Sequence, residues 1–224
     1  MRGIAILSVV VIISSIVGNM VRGTDVIGGT LLSIVLLLIP LIAIGFKSRD
    51  PVGYFGLDFK ALSRIDVKTV FLIAVFLFSI ISLLDWYPFH LWDRIFESDI
   101  MVGSTSMAMV KKGVFYLAPI VMPGGTLLEE VWFRGLIQYS LRRISLHLAV
   151  FVQSLLFGLV HFLPVYIATD FPVALKLWFF LYPFAIGMVL GYTNERYKSL
   201  LPGWIIHYTN NVLAVFLMAI MWKS

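Results

Sequence analysis

The sequence LHLAVFVQSLLFGLVHFL, residues 146–163, contains no aspartate, glutamate, lysine or arginine. A run of this length and polarity is typical of an α-helix that crosses the hydrocarbon of a bilayer. Comparable runs lie on both sides of it, at 3–21, 26–46, 69–84, 113–133, 175–193 and 200–222. The pattern therefore predicts an all-α, polytopic transmembrane helical bundle with seven spans.

The composition supports one membrane domain over the whole chain, residues 1–224. Hydrophobic residues make up 60% of the chain and charged residues only 13%, whereas a soluble domain carries about a quarter charged residues. The stretch 85–108 mixes aromatic with acidic residues, which favours an interfacial or re-entrant segment. An eighth span around 101–120, interrupted by Lys111 and Lys112, is the open alternative, so the predicted count is seven to eight.

Charge and cysteine content exclude several classes of function. The net charge is +5, but no basic run interleaved with aromatic residues forms a nucleic-acid surface, so we expect no nucleic-acid partner. The absence of cysteine excludes disulfides, thiolate zinc sites and cysteine catalysis. The basic residues instead lie between the apolar runs, where they orient a membrane protein.

The distribution of basic residues predicts the orientation in the membrane. With the N-terminus inside, ten lysines and arginines fall on the inner side and six on the outer side, which favours a cytoplasmic N-terminus. The ten are Arg2, Lys47, Arg49, Lys60, Arg64, Lys68, Arg142, Arg143, Arg196 and Lys198. The first run lacks a small-residue cleavage site after it, so we expect a retained helix rather than a signal peptide.

Three places break the apolar pattern, and the first is Glu129-Glu130-Val131-Trp132-Phe133-Arg134. On an α-helix Glu130 and Arg134 share a face, whereas Glu129 is rotated by about 100° from Glu130. Arg134 is therefore expected to neutralise Glu130 while Glu129 points elsewhere. An unpaired carboxylate in apolar surroundings suits general acid–base chemistry. A solvated helix end is the alternative.

The other two places are His161, in Phe157-Gly158-Leu159-Val160-His161, and the pair His207 and Asn211. An imidazole suits proton transfer near neutral pH, and an imidazole four residues from an amide can donate two hydrogen bonds to an oxyanion. Hydrogen bonding at the interface and polar packing between helices are the alternatives. Two acids, two imidazoles and an amide, with little else polar nearby, favour one hydrolytic site.

At these residues the sequence resembles the CAAX-protease and bacteriocin-processing family of intramembrane peptidases, also called the Abi or type II CAAX prenyl endopeptidase family. Its marks are Glu-Glu-x-x-x-Arg, Phe-x-x-x-His and His-x-x-x-Asn, which here begin at Glu129, Phe157 and His207. Gly135 and Leu201-Pro202-Gly203 are also similar to the family. The resemblance covers roughly residues 115–215.

The resemblance implies a cavity open to the inner side and cleavage of peptide bonds in membrane-associated or lipidated substrates. By motif, Glu129 and His161 would activate a water. His207 and Asn211 would stabilise the oxyanion, and Glu130 and Arg134 would support the site. No cofactor is expected. A zinc site with Glu129, His161 and His207 as ligands stays open, because two histidines and a glutamate can hold zinc with a water.

The expected partners are the lipid bilayer and a membrane-anchored peptide or protein substrate, prenylated or not. The alternative function is a non-catalytic membrane immunity or regulatory protein in which the polar cluster joins helices. A proton-coupled carrier is disfavoured, because the chain has no inverted repeat or matched pair of broken helices.

Overall fold

The computed structural model describes residues 56–66, 68–70, 72–73, 75–76, 109–110, 113–168 and 171–223, and the single positions 35, 38 and 42. Across these residues the secondary structure is entirely helical, which agrees with the predicted all-α class. The predicted run 3–21 and the stretch 85–108 lie outside the described residues, as do most of 26–46 and most of 69–84. The count of seven to eight spans stays a prediction.

The described part is built from five α-helices and one π-helical segment. They are α1 (Ala118–Glu130), the π-helical segment (Val131–Gln138), α2 (Tyr139–Leu141), α3 (Leu146–Ala168), α4 (Val173–Tyr197) and α5 (Leu201–Lys223). Short 3-10 helices cover Phe59–Arg64 and Phe115–Leu117. The predicted run 113–133 is helical but does not end at 133, because the π-helical segment and α2 continue it to Leu141.

Three of the described helices are long and apolar enough to cross a membrane. The candidate spans are Leu146–Ile167, Val173–Tyr197 and Leu201–Ile220, which correspond to the predicted runs at 146–163, 175–193 and 200–222. α3 and α4 are antiparallel, since a Cβ at Gly158 would meet Phe180 and one at Gly191 would meet Val150. Such helices are those of an integral membrane protein.

Two glycines allow α3 and α4 to approach closely. A Cβ at Gly187 would lie 3.0 Å from the Cα of Ser154, and one at Gly191 would lie 2.7 Å from Nε2 of Gln153. Because the backbones are so near, Gln153 Nε2 donates a hydrogen bond of 2.8 Å to the Gly187 carbonyl. Small residues four apart favour close packing of membrane helices, and Gly187 and Gly191 form such a pair.

Those basic residues of the inner-side set that the structure describes gather at one end of the bundle. The segment with Phe59–Arg64 lies over the turn between α4 and α5, where Leu200 N donates to Gly56 O at 2.9 Å and Ser199 Oγ to Asp58 O at 3.1 Å. Glu195 at the same end contacts Arg142 at 3.6 Å and Lys198 at 3.0 Å. We refer to this as the basic end; that it faces the cytoplasm stays a prediction.

The predicted run 69–84 begins at the basic end with a capped helix. Asp66 accepts hydrogen bonds from Lys68 N at 3.1 Å and from the Thr69 hydroxyl at 2.5 Å. The Thr69 bond lowers the pKa of the Asp66 carboxyl below its ordinary value. An aspartate in this position satisfies backbone N–H groups that the first helical turn leaves unpaired.

Substitution of Gly187 by valine should force α3 and α4 apart. We expect Gly187→Val to lower the free energy of unfolding by about 1–3 kcal/mol, the usual cost of overpacking. The measurement is thermal unfolding in detergent micelles. The matched control is Gly125→Val, because a Cβ at Gly125 meets nothing within 4 Å. Equal losses in the two variants would contradict the close approach of α3 and α4.

Candidate active site

A buried ion pair lies at the junction of α1 and the π-helical segment. Glu130 is the last residue of α1 and is fully buried, and Arg134 Nη1 donates to Glu130 Oε1 at 3.0 Å with both side chains inaccessible to solvent. The sequence prediction that Arg134 pairs with Glu130 is therefore matched by the structure. Residues 131–138 form a π-helix rather than the expected α-helix, and such segments occur frequently at functional sites.

Two further helices donate hydrogen bonds to the same carboxylate. His207 Nδ1 on α5 lies 2.9 Å from Glu130 Oε1, and Asn194 Nδ2 on α4 lies 3.2 Å from Glu130 Oε2. An ionised carboxylate only accepts hydrogen bonds, so His207 Nδ1 carries the proton of this bond. Glu130 thus joins α4, α5 and the segment that carries Arg134.

Glu129 differs from its neighbour in both exposure and partners. Its side chain is 36% exposed, whereas that of Glu130 is 0% exposed. Glu129 Oε2 lies 3.5 Å from Nε2 of His207, the ring nitrogen that Glu130 does not use. One imidazole therefore lies between a buried carboxylate with three donors and an accessible carboxylate.

His161 lies on α3 beside this group. Its Nδ1 is 2.7 Å from the carbonyl oxygen of Phe157 one turn earlier, and since a carbonyl only accepts, Nδ1 is protonated when the ring is neutral. Nε2 is then left as the acceptor.

The phenylalanine of the Phe-x-x-x-His motif packs between the two imidazoles. The Phe157 ring centroid lies 4.6 Å from that of His161 and 5.6 Å from that of His207. The Arg134 guanidinium lies 4.5 Å over the same ring, which is a cation–π contact. Phe157 therefore contacts all three polar side chains and separates the two imidazoles.

Asn211 lies one turn beyond His207 on α5 and is half-buried. Its Oδ1 accepts from Asn210 Nδ2 at 3.4 Å, and Asn210 Oδ1 accepts from the Tyr182 hydroxyl at 3.0 Å. Within the described residues no hydrogen bond joins Asn211 to Glu129, His161 or His207. Of the six residues predicted for the site, the structure brings five into one cluster and places Asn211 beside it.

Sequence analysis missed Asn194 and Gln138, which are buried polar residues of the same region. Gln138 Nε2 donates to Gly191 O at 3.1 Å and to Glu195 Oε1 at 3.2 Å. Asn194 bonds to Glu130 as described above. A polar residue at the end of a predicted span is a signal for function or pairing. Asn194, which directly follows the apolar run 175–193, carried that signal.

Among the residues that the structure describes, no group of three histidine, aspartate or glutamate side chains is spaced to hold a metal ion. The zinc alternative, with Glu129, His161 and His207 as ligands, stays a hypothesis. That the chemistry needs no cofactor is a separate matter and stays a prediction.

Residues 110–213, slightly less than half of the chain, match the family model described as type II CAAX prenyl endopeptidase, Rce1-like. This segment is similar to Rce1-like endopeptidases. The match confirms the family that the motifs indicated, which is a protease family acting on membrane-associated substrates, and it contains all six predicted site residues. No curated protein and no solved structure gives a significant match to the chain.

Replacement of the buried Arg134 should lower the free energy of unfolding far more than replacement of an exposed arginine. We expect Arg134→Met to lower the free energy of unfolding by about 3–5 kcal/mol, because it leaves a buried carboxylate without its cation. Arg142→Met, the control, removes an arginine whose side chain is 39% exposed in its pair with Glu195, and should cost less than about 1 kcal/mol. Thermal unfolding in detergent measures both; similar losses would contradict the buried pair.

Proposed function

We propose that the chain is an intramembrane endopeptidase that hydrolyses peptide bonds of membrane-associated or lipidated peptide or protein substrates. The observation that carries the proposal is the unequal pair of adjacent glutamates. Glu130 is buried and accepts three hydrogen bonds, whereas Glu129 is 36% exposed and 3.5 Å from an imidazole nitrogen. A cluster that only held helices together would not need the accessible carboxylate of Glu129.

The proposed nucleophile is a water activated by Glu129 and His161. Glu129 accepts a proton from the water as its oxygen attacks the scissile carbonyl carbon, and His161 accepts the second hydrogen bond of the water through Nε2. When the tetrahedral intermediate collapses, the C–N bond breaks and the proton held by Glu129 passes to the leaving amine. General acid–base catalysis by one carboxylate then serves both halves of the reaction.

The proposed oxyanion donors are His207 Nε2 and the side-chain amide of Asn211. Because Glu130 holds the Nδ1 proton of His207, Nε2 can donate only when the ring carries a second proton. Glu129 and Glu130 lie on either side of the ring and balance that positive charge. Fixed donors aimed at a developing oxyanion lower the barrier because they need no reorganisation during the reaction.

The position of the site supports a substrate that approaches from the basic end. His207 lies six residues after Leu201, the first residue of α5, and each residue advances a helix by about 1.5 Å, so the imidazole is about 9 Å from that end. Water and a peptide chain can reach this depth from one membrane surface. We propose that this surface is cytoplasmic and that the substrate is anchored in the same membrane.

Replacement of the accessible carboxylate should abolish turnover without unfolding the protein. We expect Glu129→Gln to lower kcat by about 10²- to 10⁴-fold, the range for loss of general acid–base catalysis. The midpoint of thermal unfolding should stay close to that of the native chain, because the side chain is partly exposed. The assay is cleavage of a panel of fluorogenic peptides, lipidated and plain, by the purified protein in detergent.

The matched control for this experiment is Glu195→Gln, which changes a glutamate that bonds Gln138 and Lys198 and touches none of the proposed catalytic groups. Glu195→Gln should retain turnover. Undiminished cleavage by Glu129→Gln would refute the proposed mechanism. A different outcome is that the native chain and all variants cleave no peptide, while Glu129→Gln still binds a partner or protects cells. That result would favour the non-catalytic immunity or regulatory alternative.

Treatment with a chelator should leave the activity unchanged. We propose that the site works without a metal, which is supported by the lack of a three-ligand group among the described residues. The measurement is the rate of peptide cleavage after incubation with 1,10-phenanthroline and dialysis. A loss of activity that zinc restores would show that Glu129, His161 and His207 rearrange around a metal.

A further inference from the structure

Asn194 lies in the last turns of α4 and connects the buried carboxylate to the start of α5. Its Nδ2 donates to Glu130 Oε2 at 3.2 Å, and its Oδ1 accepts from the backbone N–H of Gly203 at 3.1 Å. A backbone N–H can only donate, so the orientation of the amide is fixed by Gly203. The residue is 6% exposed, so water does not compete for either bond.

The bond to Gly203 completes the first turn of α5. The first N–H groups of a helix have no partner within the helix, and Leu201, Pro202 and Gly203 are buried. Leu201 N donates to Ser199 Oγ at 3.3 Å, and Pro202 has no N–H to satisfy. Asn194 supplies the acceptor for Gly203 from another helix, so the buried start of α5 leaves no donor of these three residues unpaired.

Only glycine admits this contact at position 203. A Cβ there would overlap Oδ1 of Asn194 and would lie 2.8 Å from its Cγ. The Leu201-Pro202-Gly203 sequence therefore has a local meaning, since the proline removes one donor and the glycine makes room for the asparagine. His207 follows Gly203 by four residues, about one helical turn, so the two lie on the same face of α5.

We propose that Asn194 is a positioning residue for His207. It fixes the carboxylate that holds His207 Nδ1, and it fixes the turn of α5 from which His207 projects. Without its amide, Glu130 Oε2 is a buried acceptor with no donor, and the carboxylate is free to rotate away from the imidazole. The expected effect on turnover rests on the proposed hydrolase activity. The placement of His207 by Asn194 does not depend on that activity.

The variant that isolates this role is Asn194→Asp, which keeps the size of the side chain and an oxygen for Gly203 N–H. It removes the donor to Glu130 and places a second carboxylate against the first. We expect kcat to fall roughly 10- to 100-fold, as a small displacement of a catalytic group does, while KM changes less than about twofold because only the reacting geometry is disturbed. In combination with Glu130→Gln, the new amide at position 130 can donate to the new carboxylate at position 194. The kcat of the double variant should therefore be higher than that of Asn194→Asp alone.

Thr193→Ala is the matched control, since Thr193 is also buried but its hydroxyl bonds only to Val189 O within α4, at 2.8 Å. It should change neither kinetic constant. If Asn194→Asp does not fold, Asn194→Ser is measured instead, with the same expected fall in kcat. A fall in kcat no larger than that of Thr193→Ala, or no gain in the double variant, would overturn the inference.

A second measurement does not depend on turnover. In histidine-labelled protein in micelles, the Nδ1 proton of His207, assigned through its loss in His207→Gln, should resonate far downfield in the native chain and in Thr193→Ala. It should move upfield or broaden in Asn194→Asp and return in the double variant. An unchanged resonance in Asn194→Asp would refute the positioning role even if the protein is a peptidase. A changed resonance in a protein that cleaves no peptide would refute only the peptidase.

Discussion

The structure depends on one buried carboxylate. Removing an isolated charge from water is far more costly than any single hydrogen bond returns, so Glu130 is stable only where several donors meet. Arg134, Asn194 and His207 supply them from three different parts of the chain. Each donor would itself be unfavourable among apolar helices, so the four groups are tolerated only together. The relative positions of α1, α4 and α5 are therefore set by this cluster as well as by apolar packing.

The same constraint separates the two glutamates. Adjacent residues on a helix point about 100° apart, so when Glu130 faces the cluster, Glu129 must face another direction. Here that direction is accessible, at 36% exposure, and lies on the far side of the His207 ring. Glu130 bonds one nitrogen of the imidazole from inside the bundle, and Glu129 lies near the other nitrogen from an accessible position. This difference between the two carboxylates follows from helix geometry.

Sequence alone predicted the parts of the site that depend on neighbours along the chain. The pairing of Glu130 with Arg134 and the three apolar spans are local patterns of this kind. The π-helical segment was not predicted, because Val131–Gln138 has no composition that distinguishes it from an α-helix. Asn194 was missed because its partners are 64 residues before it and nine residues after it, so its role exists only in the folded bundle.

The cluster also explains how polar groups can be held rigidly in a bundle of apolar helices. Preorganised groups act in catalysis only if their own positions are held by rigid neighbours, and a lipid-facing helix offers few polar neighbours. Here two side chains are fixed by hydrogen bonds to the backbone. Asn194 bonds to the first turn of α5, and His161 bonds to the Phe157 carbonyl. Phe157 then fills the space between the imidazoles with an apolar ring whose face accepts the Arg134 cation. The buried charged groups are therefore held in place, because each must keep its hydrogen-bond partners. In the proposed mechanism, the exposed carboxylate of Glu129 depends on that fixed arrangement.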